Sequence, residues 1–422
     1  MIICFFLNTY FTVVLAWTTY YFLASFVSGN SIIPDNDKTT FPWSTCGNSW
    51  NSECCYEIEQ ITQSGSNTTR VNHVNCESHV EACSGGNKTH PTTHLIQPAV
   101  DFWENSVLKV SSGIEEGFLE MNWPLFACLV GCWVFIYFCL WKGVKSTGKV
   151  VWVTATAPFV LIMVFLVRAL TLPNAMIGVR QYLQVDMSEL VKVETWMDAG
   201  TQIFWSFSIC LSAHISLGSY NKRKNNVFSQ CVALGFLNGF TSFISGFVVF
   251  GVLGFMSAET GLPISEVVKG GPGLAFIVYP KAITLMPGAK FWGATFFVMI
   301  FLLGIDSQFV CTEGIVTSTC DLFPGIFQTK EARKTRAREK LVLFICSLSL
   351  LVGIPMIMRN GIFIFTIFDF YRKLNLRKKH DNKSDNRRHD EKGRRPYRYL
   401  LTIVFPKQIY AVIRFQTQAK IQ

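Results

Sequence analysis

Charged residues are scarce in this sequence. Asp, Glu, Lys and Arg make up 16% of its 422 residues, whereas a typical soluble domain contains about 25%. Half of the residues are hydrophobic, and they are concentrated in long apolar runs. This combination excludes an ordinary soluble domain and predicts an all-α, polytopic membrane protein.

Two classes of reactive site are also missing from the sequence. No Cys and His residues have a zinc-like spacing, and no set of nucleophile, histidine and acid is present. We therefore do not expect an enzyme or an organic cofactor. The formal charge of +10 does not indicate nucleic-acid binding. The basic residues lie at span ends and in the C-terminal tail, a distribution that is typical of membrane proteins.

The apolar runs predict seven spans, since a span needs about 20 residues. They are 2–27, 123–141, 150–172, 201–218, 228–256, 289–318 and 341–358. The first run has no basic residues before it and is too long for a signal peptide. The chain is thus divided into a first span (1–27), a polar loop (28–121), six further spans (122–358), a partial span (359–371) and a basic, divergent tail (372–422).

The polar loop 28–121 is expected outside the cell. Asn67 and Asn87 each begin an Asn-X-Thr sequon and are predicted glycosylation sites. Placing this loop outside puts most Lys and Arg of the short connecting loops inside. A disulfide between Cys46 and Cys55 would staple the base of the loop, but Cys54 competes with Cys55, so the pairing stays open. The topology of the tail is ambiguous, because counting the spans places it outside the cell, whereas its positive charge favours the inside.

Polar side chains recur within three of the spans, where lipid would penalise them. Gln202 and Ser206 lie one turn apart and share a helix face, and so do Asn238 and Ser242. Their amide and hydroxyl groups could donate to a chloride ion. The alternative is that Ser206 or Ser242 only bonds to its own helix or a neighbouring one, and that Asn238 joins two helices.

The third polar cluster contains a carboxylate. Asp306 lies deep in an apolar run, where an ionisable residue is a functional candidate by default. Asp306 and Ser307, together with the Leu303 carbonyl, could hold a cation such as sodium.

Several long motifs resemble those of the sodium- and chloride-dependent neurotransmitter symporters. They are DAGTQIFWSFSICLSAHISLGSYN, GVKSTGKVVWVTATAP, VRALTLPNA, GPGLAFIVYPKAIT and LGIDSQFVCTEG, in the right order. The resemblance covers roughly residues 1–371. Residues 209–211 and 306–311 look like the GABA, taurine, creatine and betaine branch of that family.

The resemblance implies twelve spans arranged as two inverted five-helix repeats, with substrate bound at the midplane beside broken helices. Residues 2–27 then look like the third span, and the following runs like the fourth to ninth. The partial span looks like the start of the tenth. We accordingly expect the first two spans to be missing and the last two to be replaced by the basic tail.

The resemblance also implies roles for individual residues. The implied chloride ligands are Gln202, Ser206, Asn238 and Ser242, and the implied sodium ligands are Ser206, Asn238, Leu303, Asp306 and Ser307. The implied substrate-binding positions are Tyr10, Phe11, Trp205, Phe207, Ser208, Cys210, Leu211 and Cys311, and Asp369 matches an acidic gate residue. Phe11 departs from the family pattern because it lacks a tyrosine hydroxyl, and Ser212 stands where the family has a hinge glycine.

The implied function is sodium- and chloride-coupled symport of a small zwitterionic amino acid or osmolyte by a multi-pass protein of the plasma membrane. The implied partners are the lipid bilayer, the substrate, Na⁺ and Cl⁻; nucleic acid is not expected, and a homo-oligomer is left open. The alternative is a transport-inactive truncated form that associates with full-length transporters.

Overall fold

The computed structural model describes residues 2–27, 41–52, 55–63, 66–73, 97–111, 120–142, 144–184, 187–207, 215, 218–219, 226–261, 264, 274–327, 329 and 336–367. In these ranges, six helices are long and apolar enough to cross a membrane. The prediction of a helical, polytopic membrane protein is confirmed. The strands in the described part of the chain form one antiparallel hairpin, β1 (Tyr56–Gln63) with β2 (Ser66–His73), inside the polar loop.

Thirteen helices are named here in chain order. They are α1 (Ile2–Ala24), α2 (Pro98–Asp101), α3 (Trp123–Leu140), α4 (Val144–Leu170), α5 (Ala175–Leu183), α6 (Met187–Leu190), α7 (Val193–Ser206), α8 (Val227–Thr260), α9 (Tyr279–Thr284), α10 (Ala289–Leu322), α11 (Pro324–Phe327), α12 (Ala337–Gly353) and α13 (361–367). A π-helical turn, Phe102–Leu108, continues α2, and another, Leu274–Val278, leads into α9.

Most predicted spans coincide with long helices, but α8 and α10 extend beyond the predicted ends to Thr260 and Leu322. The predicted span 201–218 is described mainly up to Phe207, where α7 has just ended. The connector 257–288 between two predicted spans is rich in Gly and Pro, yet its second half folds into the π-helical turn and α9. The tail 372–422 lies outside the described residues.

Helix α1 lies in the core against α10. It contains no charged residue, and its threonines bond back to their own helix: Thr12 Oγ1 donates to the Asn8 carbonyl at 2.8 Å. Polar contacts then join the two helices. Gln308 Nε2 donates to the Asn8 carbonyl at 3.0 Å and to Thr12 Oγ1 at 2.7 Å, and Thr312 Oγ1 donates to Asn8 Oδ1 at 3.2 Å.

Aromatic side chains close the end of the bundle at which the polar loop lies, which we call the loop end. Tyr21 donates its hydroxyl to the Phe276 carbonyl at 2.7 Å. Trp103 stacks on Phe276 with 4.8 Å between ring centroids, and Trp43 Nε1 donates to the Pro280 carbonyl at 3.2 Å. The polar loop, α1 and the segment around α9 are thereby packed together.

The polar loop contains the disulfide between Cys46 and Cys55, with the two Cα atoms 5.8 Å apart. The competing Cys54 lies outside the described residues. Next to the bridge, the Ser52 amide and hydroxyl donate to Asp101 Oδ2 at 3.0 and 2.8 Å. The bridged segment is therefore attached to α2 through the buried Asp101 carboxylate.

The two predicted glycosylation sites fall in different parts of the loop. The backbone of Asn67 lies in β2, where it is paired with Thr62 of β1. Asn87 lies outside the described residues. Both positions remain predictions.

A half-buried lysine connects α9 with the start of α2, outside the six long apolar helices. Lys281 Nζ donates to Gln97 Oε1 at 2.9 Å. Burial lowers the pKa of the Lys281 ammonium group, because removal from water disfavours its charged form.

Helix α5 lies almost in backbone contact with α8. A Cβ added to Gly178 would lie 1.7 Å from the Phe250 carbonyl oxygen, and one added to Gly254 would lie 2.4 Å from the Gly178 nitrogen. Beside this crossing, Tyr182 stacks on Phe250 and donates its hydroxyl to the Phe243 carbonyl at 3.3 Å. Burial raises the pKa of Tyr182 to about 12.

We predict that Gly178→Ala destabilises the protein by about 1–3 kcal/mol or more, because the new methyl group must displace the α8 backbone. Gly131→Ala is the matched control, since nothing lies within 4 Å of its Cβ position in α3 apart from the adjoining residues and the nearby backbone of the same helix. The control should be neutral or slightly stabilising, as alanine favours a helix. Thermal unfolding of the purified chain in detergent measures both effects, and equal midpoints for the two variants would contradict the predicted close crossing.

Candidate functional site

The predicted anion ligands on α7 and α8 lie together. Asn238 Nδ2 donates to Ser206 Oγ at 2.8 Å, and the Ser206 hydroxyl lies 3.1 Å from Asn238 Oδ1. Gln202 is buried one turn before Ser206 on α7. The structure therefore joins the last turn of α7 to the first third of α8 through two polar side chains.

Ser242 has a different role in this structure. Its hydroxyl donates to the Asn238 carbonyl at 2.9 Å, which is a bond to its own helix one turn earlier. The hydroxyl hydrogen would have to rotate away from that carbonyl before it could point toward an anion. The Ser242 donor is therefore occupied within α8.

Three of the predicted cation ligands lie on α10, whereas the other two, Ser206 and Asn238, belong to α7 and α8. Asp306 is half-buried, Leu303 is half-buried and Ser307 is exposed. Leu303 and Ser307 are four residues apart and thus share a face of the helix. The Asp306 carboxylate accepts a hydrogen bond at Oδ1 from the hydroxyl of Thr154, which belongs to α4.

Thr154 was not predicted from the sequence to be a functional residue. It lies in the predicted span 150–172, where a lone threonine is more often bonded to its own helix than to a functional group. It lies 152 residues before Asp306, so helix periodicity does not relate the two positions. One local feature could have drawn attention to it: Pro158 follows four residues later, inside α4.

The predicted substrate-binding residues that the structure describes lie on several elements. Tyr10 is buried in α1, and its ring meets Phe365 of α13 edge to face with centroids 5.7 Å apart. Phe11 is half-buried beside Gly304 of α10, and Cys311 is buried further along that helix.

Phe207, another predicted substrate-binding residue, is half-buried directly after α7. Other predicted residues are described incompletely or not at all. Trp205 belongs to α7, but its side chain lies outside the described part. The remaining predicted residues that lie outside the described residues are Ser208, Cys210, Leu211 and Asp369, together with Ser212 at the hinge.

A partly buried ion pair joins α10 to α12 at the end opposite the loop end. Arg338 Nη2 donates to both carboxylate oxygens of Glu313, at 2.6 and 2.8 Å, and Thr317 Oγ1 lies 3.4 Å from Glu313 Oε1. The Glu313 side chain is 5% exposed and that of Arg338 is 33% exposed. Sequence reasoning did not predict this pair, since Arg338 lies in a basic cluster that looks like a solvated loop.

Comparison with known proteins identifies the family. The family model described as "Sodium:neurotransmitter symporter family" matches residues 1–376. The chain belongs to this family.

Three relatives of this symporter-family chain illustrate the similarity. Sodium- and chloride-dependent GABA transporter 2 of Rattus norvegicus is 43% identical over 365 residues, which are 86% of this chain and 54% of the relative. The sodium- and chloride-dependent taurine transporters of Rattus norvegicus and Homo sapiens are 46% and 44% identical, over 86% of this chain and 53% of each relative. The chain thus spans about half the length of these relatives.

We predict that Arg338→Ala destabilises the protein by about 3 kcal/mol, the lower end for a buried pair because Arg338 is 33% exposed, since the buried Glu313 carboxylate loses its cationic partner. Arg336→Ala is the matched control: its partner Glu339 lies 3.8 Å away and the Arg336 side chain is 71% exposed. An exposed pair of this kind contributes about 0–1 kcal/mol. Unfolding of both variants in detergent provides the comparison, and a small loss for Arg338→Ala would show that Glu313 does not depend on this arginine.

Proposed function

We propose that this chain provides the core of a sodium- and chloride-coupled secondary symporter for a small zwitterionic amino acid or osmolyte of the GABA, taurine, creatine or betaine class. The observation that carries the proposal is the family match over residues 1–376. The relatives named for GABA and taurine favour this branch. Transport would follow alternating access, with sodium moving down its gradient and driving uptake.

The proposed cation site consists of Asp306, Ser307 and the Leu303 carbonyl on α10. A carboxylate inside a membrane bundle is costly unless a partner compensates its charge. A sodium ion supplies that compensation, and hard oxygen atoms of this kind suit it. Asp306 is half-buried and the adjacent Ser307 is exposed, which supports entry of the ion from the face of α10 that carries Ser307.

The proposed chloride site consists of Gln202, Ser206, Asn238 and Ser242, and Ser206 and Asn238 also belong to the proposed first sodium site. The hydrogen bonds between Ser206 and Asn238 support a shared site, because they hold donors of α7 and α8 together. Chloride would balance the charge of the co-transported sodium ions.

The proposed substrate site lies beside these ions. Its proposed lining is Tyr10, Phe11, Trp205, Phe207, Ser208, Cys210, Leu211 and Cys311, with Asp369 as a gate. We also propose that the protein resides in the plasma membrane, with the polar loop outside and Asn67 and Asn87 glycosylated.

A second candidate is a transport-inactive form that associates with full-length transporters. The family match and the similarity to named transporters favour the symporter over this candidate. Transport by this chain is a measurable property that separates the two.

The test is uptake of radiolabelled GABA, taurine, creatine and betaine by cells that express the chain. We expect uptake of at least one substrate, which falls to background when choline replaces sodium and is strongly reduced when gluconate replaces chloride. Asp306→Ala should abolish uptake because it removes the only proposed carboxylate ligand of the cation.

Thr319→Ala is the control on the same helix, since the Thr319 hydroxyl bonds to its own helix at the Ile315 carbonyl, 2.8 Å away. It should retain uptake at equal surface expression. Uptake that does not depend on sodium, or that persists in the Asp306→Ala variant, would refute the proposed cation site. Background uptake by a chain that reaches the surface would favour the inactive form.

A further inference from the structure

We propose that Thr154 of α4 is a positioning residue for the Asp306 carboxylate and thereby sets the sodium affinity of the cation site. This inference rests on the proposed function, which makes Asp306 a sodium ligand. It adds a second helix to a cation site whose proposed ligands, Leu303, Asp306 and Ser307, all lie on α10.

The first observation is the direct contact between the two side chains. Thr154 is 5% exposed, and its hydroxyl donates to Asp306 Oδ1. A threonine hydroxyl has one hydrogen, and the Val150 carbonyl of the same helix lies 3.2 Å away as an alternative acceptor. A carboxylate is the stronger acceptor of the two, because hydrogen bonds to an ionised group are roughly twice as strong as neutral ones.

The second observation concerns the α4 backbone at the same residue. The carbonyl of Thr154 would normally accept a hydrogen bond from the amide of the residue four positions later. That residue is Pro158, which has no N–H. Thr154 therefore lies at a turn of α4 where the backbone is incompletely bonded, because its carbonyl lacks the usual helical donor.

The consequence for the site is preorganisation. A bond at Oδ1 restrains rotation of the carboxylate and leaves Oδ2 available for an ion near Leu303 and Ser307. Without the bond, the carboxylate samples other rotamers. Ordering it then costs part of the free energy of ion binding. A half-buried carboxylate that loses a hydrogen-bond partner is also left incompletely compensated.

The experiment measures binding of ²²Na⁺ to the purified 422-residue chain in detergent, with choline chloride to keep the ionic strength constant. Thr154→Val keeps the shape of the side chain and removes the hydroxyl. We expect it to raise the sodium concentration for half-saturation by about ten-fold, the effect of losing one hydrogen bond to a charged group. Thr154→Ser restores the donor and should bind sodium within about two-fold of the unaltered chain.

Thr156→Val is the matched control, since Thr156 is an exposed threonine of the same helix whose hydroxyl donates to the Trp152 carbonyl at 2.7 Å. It should leave sodium binding unchanged. If Thr154→Val does not fold, Thr154→Ala removes the same donor. The inference is overturned if removal of the hydroxyl leaves half-saturation unchanged, if Thr156→Val shifts it equally, or if Thr154→Ser behaves like the valine variant.

Asp306→Asn separates this inference from the proposed function. If Asp306→Asn abolishes sodium binding and Thr154→Val does not weaken it, only the role of Thr154 is wrong. If the unaltered chain does not bind sodium, or if Asp306→Asn binds it normally, the proposed cation site is wrong and the inference fails with it.

Discussion

The packing of α1 against α10 depends on a small set of buried polar contacts. Both helices are apolar around most of their circumference, so hydrophobicity alone gives neither a unique face nor a unique register. Gln308 restores that specificity, because its amide must find acceptors in an environment without water, and it finds them at the Asn8 carbonyl and Thr12. A slip of one residue would leave these groups buried and unpaired, at a cost of several kcal/mol each in lipid.

Helix α10 in turn orients the candidate site. Asp306 and Ser307 directly precede Gln308, so the contact that fixes Gln308 also fixes where the carboxylate points. From there Asp306 meets Thr154 of α4, and two turns later Glu313 meets Arg338 of α12. One helix thus presents an amide to α1, a carboxylate to α4 and one half of an ion pair to α12.

Much of the architecture and part of the site were predictable from local patterns. The length of an apolar run predicts a span, because the bilayer thickness is fixed. The four-residue spacing of Gln202 and Ser206, or of Asn238 and Ser242, predicts a shared helix face in the same way. Thr154 and Arg338 escaped prediction because a threonine in a span and an arginine in a basic cluster each have a common structural explanation that needs no partner. Ser242 was predicted as an ion ligand, but its hydroxyl bonds within its own helix in this structure, as the ordinary structural explanation for a serine in a span has it.

The sequence by itself determined which segments are apolar enough to span, where polar groups interrupt them and which family the motifs resemble. These properties depend on composition and spacing over a few turns, so they can be derived without the fold. Only the tertiary structure decided the pairings between helices: Ser206 with Asn238, Thr154 with Asp306, and Glu313 with Arg338. Partners that are distant in the chain meet through helix packing, and each such contact depends on the register of two elements at once, which no local pattern in either element specifies.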